Sequence, residues 1–228
     1  MRAVAEFVRP ALLIAWKDVL LELRNREVVA TALVFGVMMV VIFNFALNIV
    51  PETVNVLAPG VLWVAFSFAG VLAMSRAFVA EKEEGTLDAL LLCPVSRDSL
   101  YFGKMLAMFI FMVVIEAALL PIFAVFFDFS AFSLSLLGAI VLATVGFAAV
   151  GTLFAAVAAN IRSREIMLPI LFFPLVSPVI IGAVETSGAA IGGSGTVVST
   201  GRWMQMMVVF DAVFLVVCPW LFSVVVEE

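Results

Sequence analysis

Ionisable residues are few in this chain, and their placement decides which chemistry it can perform. Asp, Glu, Lys and Arg make up 13% of the 228 residues, and His is absent. Without His the chain lacks the commonest metal ligand and the usual general base of nucleophilic catalysis. Its two cysteines, Cys93 and Cys218, are too far apart for a metal-binding motif. We therefore expect no catalytic residue, no metal site and no cofactor bound by this chain.

The sequence also gives no sign of a P-loop nucleotide site within the chain. A P-loop requires the pattern G-x-x-x-x-G-K-[ST], and no such stretch occurs. The chain also lacks a basic patch that would bind nucleic acid. The sequence predicts neither an enzyme nor a nucleic-acid-binding protein.

Glu116 is the candidate for chemistry inside an apolar segment. It follows Lys104 by twelve residues, which places it about 18 Å further along a helix and near the middle of a bilayer. An ionisable group at that depth is a functional candidate. The alternative is a protonated carboxyl hydrogen-bonded to a neighbouring helix or a partner subunit. Trp63 and Asp211 are candidates for a partner or interface contact, and Asp211 could also pair with Arg202 at the outer surface.

Long apolar runs must position these residues. Hydrophobic residues make up 65% of the chain, and runs of about 20 apolar residues recur, which is typical of a polytopic all-α membrane protein. We predict one transmembrane domain over residues 1–228, with an interfacial amphipathic helix over residues 3–26. The six predicted spans are residues 28–50, 56–77, 100–127, 131–160, 166–184 and 203–226.

Three patterns predict how these spans pack. Ala148, Thr152 and Ala156 recur every four residues in the fourth span, a spacing that lets helices approach closely in lipid. Three prolines in the fifth span predict a kinked or discontinuous helix. The glycine-rich residues 185–201 predict a flexible loop.

Positive charge predicts the orientation. Of the twelve Lys and Arg residues, all but Arg202 fall on one side if both termini are cytoplasmic. Because cytoplasmic loops are enriched in Lys and Arg, we predict a multi-pass protein with both termini in the cytoplasm.

The longest charge-rich segment runs from Phe78 to Lys104, between the second and third predicted spans. Glu81 to Glu84 cannot enter hydrocarbon, so the segment lies in water or at the membrane surface. Thr86 can cap a short helix that Pro94 ends.

Within that segment, Leu87, Leu90 and Leu91 share one face, and Asp88 lies near the helix N-terminus. We predict an amphipathic helix over residues 84–94, lying crosswise to the spans, on which something outside the membrane could push. An ordinary capped loop is equally consistent with the spacing.

These residues resemble the CcmB family, the ABC-2-type permeases of the haem-exporter, or cytochrome c maturation, system. The run Ala58-Pro59-Gly60-Val61-Leu62-Trp63-Val64 carries the resemblance, and so does the stretch from Phe78 to Pro94. The segments at 168–170 and 174–182 are similar to that family's fifth span. The similarity covers nearly the whole chain.

The resemblance implies partners. They are an ABC-type ATPase that binds ATP, a second copy of this chain, a Trp-rich membrane protein that handles haem, and a periplasmic haem chaperone. Haem would be held by those partners, and this chain would lie among the lipids of a prokaryotic plasma (inner) membrane. The residues implied to couple it to the ATPase are Glu81, Glu84, Gly85, Leu87, Asp88, Leu91, Pro94 and Arg97.

The function that follows is to couple ATP hydrolysis to haem transfer or to the release of a haem-loaded chaperone. A general ABC-2 exporter of a drug, lipid or polysaccharide is the alternative within transport. A membrane scaffold, with Glu116 only stabilising an assembly, is the alternative outside it.

Overall fold

The structure, a computed structural model, describes residues 2–24, 27–47, 54–83, 95–127, 133–159, 164–191 and 197–225. Within these ranges the chain forms seven α-helices and no strand. The helices are α1 (Arg2–Arg24), α2 (Glu27–Leu47), α3 (Val54–Glu83), α4 (Arg97–Phe127), α5 (Leu134–Ala159), α6 (Arg164–Ile191) and α7 (Val197–Val225).

Five stretches in the described part of the chain are long and apolar enough to cross a membrane. They are Val28–Ala46, Arg97–Phe127, Leu134–Ala158, Met167–Ala189 and Thr200–Val225. The apolar stretch Val56–Leu72 in α3 is shorter. The predicted all-α, polytopic membrane fold is therefore confirmed, whereas the count of six spans stays a prediction.

Helix α5 is the central element of the bundle. In its most apolar stretch 72% of the residues are buried, compared with 33% or less in the other four candidate membrane spans. Ala148, Thr152 and Ala156 are all buried, as the small-residue pattern predicts. On the same helix, the Met74 side chain of α3 packs over Gly151 and occupies the space that a larger residue would need. Small side chains on α5 thus allow its neighbours to surround it closely.

Helix α6 is continuous through its three prolines, so the discontinuous form of this span is wrong, whereas a kink stays a prediction. Proline has no amide hydrogen, so Pro178 cannot donate to the carbonyl of Pro174 as a normal helix residue would. Ser177 Oγ donates to that oxygen instead, over 2.9 Å. A hydroxyl that satisfies the freed carbonyl lets the helix continue inside the membrane.

The expected flexible loop over residues 185–201 is largely helical. Helix α6 extends to Ile191 and α7 begins at Val197, while residues 192–196 lie outside the described ranges. Thr186 and Ser187 are fully buried. Because these two side chains pack inside the bundle, the backbone here is held in a helix. The polar and glycine-rich sequence alone would leave its conformation undetermined.

Helix α1 crosses the beginning of α4 and presents two apolar faces. One face, with Ala11, Ile14 and Ala15, is buried. The opposite face is exposed and includes Leu13 and Trp16, as expected of a helix whose outer side meets lipid. The predicted N-terminal amphipathic helix is present, and its location at the membrane surface stays a prediction.

The crossing of α1 and α4 depends on a glycine. A Cβ atom at Gly103 would lie 2.8 Å from the Ala11 carbonyl oxygen and 2.9 Å from Ile14 Cβ. These are fixed atoms of a packed helix, so they cannot move aside as the end of a flexible side chain can. Glycine at this position is what lets the two backbones approach.

We therefore expect Gly103→Ala to destabilise the chain by about 1–3 kcal/mol, the usual cost of overpacking. Gly60→Ala is the matched control, because no atom lies within 4 Å of its added Cβ. Alanine's helix propensity should make the control neutral or more stable by up to about 1 kcal/mol. The midpoint of thermal unfolding in detergent micelles measures both, and equal midpoints would contradict the close crossing.

Candidate functional site

Glu116 of α4 points into the bundle, where the residue is 3% exposed. Thr144 of α5 is its partner: Thr144 Oγ1 lies 2.8 Å from Glu116 Oε2 and 3.0 Å from Oε1. Within the part of the chain that the structure describes, no cationic side chain pairs with this carboxyl. The hydrogen bond to a neighbouring helix that the sequence suggested is therefore observed, and a functional role for Glu116 stays a prediction.

The number of hydrogen atoms that can be donated at this contact indicates whether the Glu116 carboxyl is protonated. The Thr144 hydroxyl also lies 2.7 Å from the Ile140 carbonyl oxygen. A hydroxyl has one hydrogen, so it cannot donate to the carbonyl and to the carboxyl at the same time. A protonated Glu116 resolves this conflict, because it donates to Thr144 while Thr144 donates to Ile140. The hydrogen-bond geometry therefore favours a neutral carboxyl.

Asp211 of α7 is a second buried carboxyl. The residue is 5% exposed, and neither of its carboxyl oxygens has a hydrogen-bond partner. Oδ1 lies 2.8 Å from the position that a Cβ would take at Gly146 of α5, so the carboxyl lies directly over the glycine. A buried polar group without a partner costs about 1–3 kcal/mol. Stability alone does not account for an aspartate here.

The pairing of Asp211 with Arg202 at the outer surface, predicted from the sequence, is wrong. Arg202 is exposed, whereas Asp211 is buried near the middle of α7. Nine residues along one helix advance the chain by about 13 Å and turn it to the opposite face. Two side chains with that spacing on one helix cannot meet.

The two buried carboxyls contact α5 at nearly the same level. Their contact residues, Thr144 and Gly146, are two positions apart, which is about 3 Å along the helix axis and about 200° around it. Glu116 therefore meets one side of α5 and Asp211 another. No grouping of three Asp, Glu, Cys or His side chains occurs among the described residues, so the arrangement is one of two separate carboxyls on a central helix.

Trp63 does not lie at the interface predicted for it. Its side chain is 0% exposed, and its indole N–H donates to Ser187 Oγ of α6 over 2.9 Å. Phe66 and Phe147 pack edge-on against the indole, with ring centroids 5.6 and 6.3 Å away. A buried indole needs an apolar enclosure and one acceptor, and the junction of α3, α5 and α6 provides both.

The first turn of α4 is held by its own cap and by α1. Ser96 Oγ accepts a hydrogen bond from the Ser99 amide over 3.2 Å, as an N-cap residue does. Ser99 Oγ donates to the Phe7 carbonyl oxygen of α1 over 3.1 Å. The rings of Phe7 and Phe102 then meet edge to face at 5.7 Å. Helix α4 therefore begins at a position fixed by α1.

Lys104 adds an ion pair with Asp18 of α1 to this junction. The sequence pattern does not predict that these two residues pair. Lys104 is 5% exposed, and its Nζ lies 3.4 Å from Asp18 Oδ2 of α1. Asp18 Oδ1 also lies 3.0 Å from Lys17 Nζ. A buried ammonium group requires a carboxylate partner, so a lysine at the start of an apolar span is a signal to search for one. The sequence does not reveal which acid supplies it.

Most of the predicted coupling residues fall outside the described ranges. These are Glu84, Gly85, Leu87, Asp88, Leu91 and Pro94. Glu81 lies in the last turn of α3, and Arg97 begins α4, where its Nη1 donates to the Ser223 carbonyl oxygen of α7 over 3.5 Å. The described structure stops at residue 83 and resumes at residue 95, so the predicted coupling helix lies outside it. The coupling role stays a prediction.

Several known proteins are similar to this chain over most of its length. A family model described as CcmB protein matches residues 9–228. Heme exporter protein B of Pseudomonas aeruginosa is 29% identical over 81% of this chain and 84% of its own. Heme exporter protein B of Rhodobacter capsulatus is 28% identical over 74% and 78%, and that of Bradyrhizobium diazoefficiens is 24% identical over 89% and 90%. The family match includes both buried carboxyls.

Replacing Glu116 with Gln tests whether its contact needs a charge. Glutamine keeps the size and can still bond to Thr144, so we expect E116Q to unfold within about 0.5 kcal/mol of the parent chain. E116L removes the bond between helices and should cost about 0.6–1.7 kcal/mol. Unfolding of the full chain in detergent measures both. A loss in E116Q as large as that in E116L would contradict a neutral carboxyl.

The contact between Gly146 and Asp211 can be tested with a double-mutant cycle. We expect G146A to destabilise the chain by about 1–3 kcal/mol, because its Cβ would collide with the carboxyl. D211A removes both the collision and the unpartnered group, so in the D211A background G146A should cost much less. A coupling energy above about 0.5 kcal/mol from thermal unfolding would support the contact. Additive effects would argue that the two residues do not touch.

Proposed function

This chain belongs to the CcmB protein family, and from that membership we propose that it is the membrane permease component of a haem export system. The observation that carries the proposal is the family match over residues 9–228, which includes most of α1 and all of the six helices that follow it in the described structure. The similar proteins of Pseudomonas aeruginosa and Rhodobacter capsulatus bear the name heme exporter protein B. Five helices suited to crossing a membrane agree with such a role.

The energy for transport comes from a separate protein in this proposal. The sequence contains no P-loop, and the family resemblance implies an ABC-type ATPase that binds and hydrolyses ATP outside the membrane. We propose two copies of this chain with two copies of the ATPase. The predicted amphipathic helix over residues 84–94 is the docking element, because it combines an apolar face with carboxylates that cannot enter hydrocarbon.

Helix α4 then carries the movement of that element into the membrane. Its first turn is tied to α1 by the bond from Ser99 to Phe7 and by the ion pair of Lys104 with Asp18. Displacement of residues 84–94 therefore moves α1 and the start of α4 together. Further along α4, Glu116 contacts the central helix α5. A rigid helix with fixed contacts at its start and further along its length can transmit a shift that a flexible loop would absorb.

Haem is held by other proteins of the complex in this proposal. The chain contains no His to ligate haem iron. A Trp-rich membrane protein and a periplasmic haem chaperone supply that chemistry, and ATP hydrolysis drives haem transfer or the release of the loaded chaperone. The complex thereby delivers haem for cytochrome c biogenesis from the inner membrane, with both termini of this chain in the cytoplasm.

Gentle solubilisation of native membranes, capture of this chain and mass spectrometry of its companions test the assignment. We expect an ABC-type ATPase together with a haem-binding membrane protein. An ATPase without any haem-binding companion would replace the proposal with a general exporter. The absence of an ATPase would contradict both transport functions.

The docking helix is tested by Leu91→Asp and Gly85→Pro. Both should leave the amount of chain in the membrane unchanged. Leu91→Asp should lower the ATPase recovered with it by about tenfold, the usual effect of losing one apolar anchor, and Gly85→Pro should also lower it, because proline restricts the backbone where the docking helix begins. Leu134→Asp is the matched control, since Leu134 is exposed at the first turn of α5 and far from residues 84–94 in the sequence. Normal recovery of the ATPase with both docking variants would rule out this element as the contact.

A further inference from the structure

A cavity of about 630 Å³ opens where α4 begins and α7 ends. Phe102 of α4 and Leu215 and Val216 of α7 supply its apolar walls, and Phe7 of α1 adds a further side. Because α4 and α7 are both candidate membrane spans, the ends of these helices lie at the level of the lipid head groups. Its lining includes Arg97, one of the predicted coupling residues, and Phe7 of the junction between α1 and α4, but a bound ligand forms no part of the function proposed above.

An exposed apolar strip on α7 leads into the cavity. Val209, Val213, Val216 and Trp220 follow one another at helical spacing, and all four are exposed. They cover about 16 Å along one face of the helix. Val216 and Trp220 also line the cavity, so the strip and the cavity form one continuous apolar surface. A surface of this shape fits an acyl chain lying along a membrane helix.

The polar wall of the cavity carries two opposite charges. Arg97 and Asp98 are neighbours in the first turn of α4, and both line the cavity. A guanidinium group favours a phosphate, and a carboxylate favours an ammonium group. A wholly anionic head group would meet repulsion from Asp98, whereas one with a phosphate and an ammonium group matches both charges.

We propose that this cavity binds one membrane phospholipid whose head group carries a phosphate and a primary ammonium group. The phosphate lies at Arg97, the ammonium group at Asp98, and an acyl chain follows the α7 strip. The indole of Trp220 lies at the depth that tryptophan favours in membranes. The bound lipid contacts both α4 and α7 beside the hydrogen bond from Arg97 to Ser223.

Native mass spectrometry of the full chain in detergent tests the head group. The probes are equal amounts of phosphatidylethanolamine, phosphatidylcholine and phosphatidylglycerol. We expect one retained phosphatidylethanolamine, preferred over each competitor by about three- to fivefold, the size of one exposed charge contact. R97Q should lower retention of every phospholipid, and D98N should abolish the preference for ethanolamine over choline.

R202Q is the matched control, because Arg202 is an exposed arginine in the first turns of α7, at the other end of that helix. It should behave like the parent chain. Equal retention of the three lipids by the parent chain, or an unchanged preference in D98N, would overturn the proposal.

Fluorescence provides a test that does not depend on the folding of R97Q. Brominated phosphatidylethanolamine or brominated phosphatidylcholine is mixed into phosphatidylcholine vesicles that contain the parent chain or W220F. The difference between the two proteins isolates the emission of Trp220, and we expect the ethanolamine lipid to quench it more strongly. Equal quenching by both lipids would overturn the head-group assignment. An absence of quenching would overturn lipid binding here and would indicate that a second copy of the chain covers this surface.

Discussion

The interior of a membrane bundle offers no water, so each buried polar group must find its partner within the protein. That constraint explains the contacts on which this structure depends. Ser177 satisfies a backbone carbonyl that proline frees, and α6 continues because of it. Trp63 donates to Ser187 and joins α3 to α6, while Lys104 pairs with Asp18 and joins α4 to α1. Most of these bonds link different helices, so the same interactions that satisfy polar groups also fix the packing.

Asp211 departs from that rule, as do the buried hydroxyls of Ser67, Thr152 and Thr186, and the comparison with Glu116 shows how. Both carboxyls contact the central helix at one level, but Glu116 has Thr144 as a partner and Asp211 has none. The nearest feature to Asp211 on α5 is Gly146, whose lack of a side chain provides space and no hydrogen bond. Residues that break a local rule without a structural benefit are often functional. Glu116 is the more conspicuous carboxyl in the sequence, whereas Asp211 is the one without a hydrogen-bond partner, and a functional role for either stays a prediction.

The junction of α1 and α4 bears on the ATP-driven permease proposed above. In that proposal, force from the ATPase enters the bundle through a segment outside the membrane and must not be lost in bending. Gly103 lets α1 and α4 touch through their backbones, and a hydrogen bond and an ion pair hold the crossing in place. Tightly packed interiors transmit displacement because they are poorly compressible. The first turns of α4 and the helix α1 are thus suited to move as one body.

The sequence by itself determined the class of protein, because long apolar runs and few charges leave an α-helical membrane bundle as the consistent solution. It also predicted the amphipathic α1, the small-residue packing of α5 and the family. Only the tertiary structure decided that residues 185–191 are helical, that Trp63 is buried, that Asp211 and Arg202 do not pair and that Asp18 serves Lys104. Composition and periodicity are properties of neighbours along the chain, whereas the partner of a buried polar group depends on which helix faces meet. That choice is made between residues far apart in sequence, where local patterns carry no information.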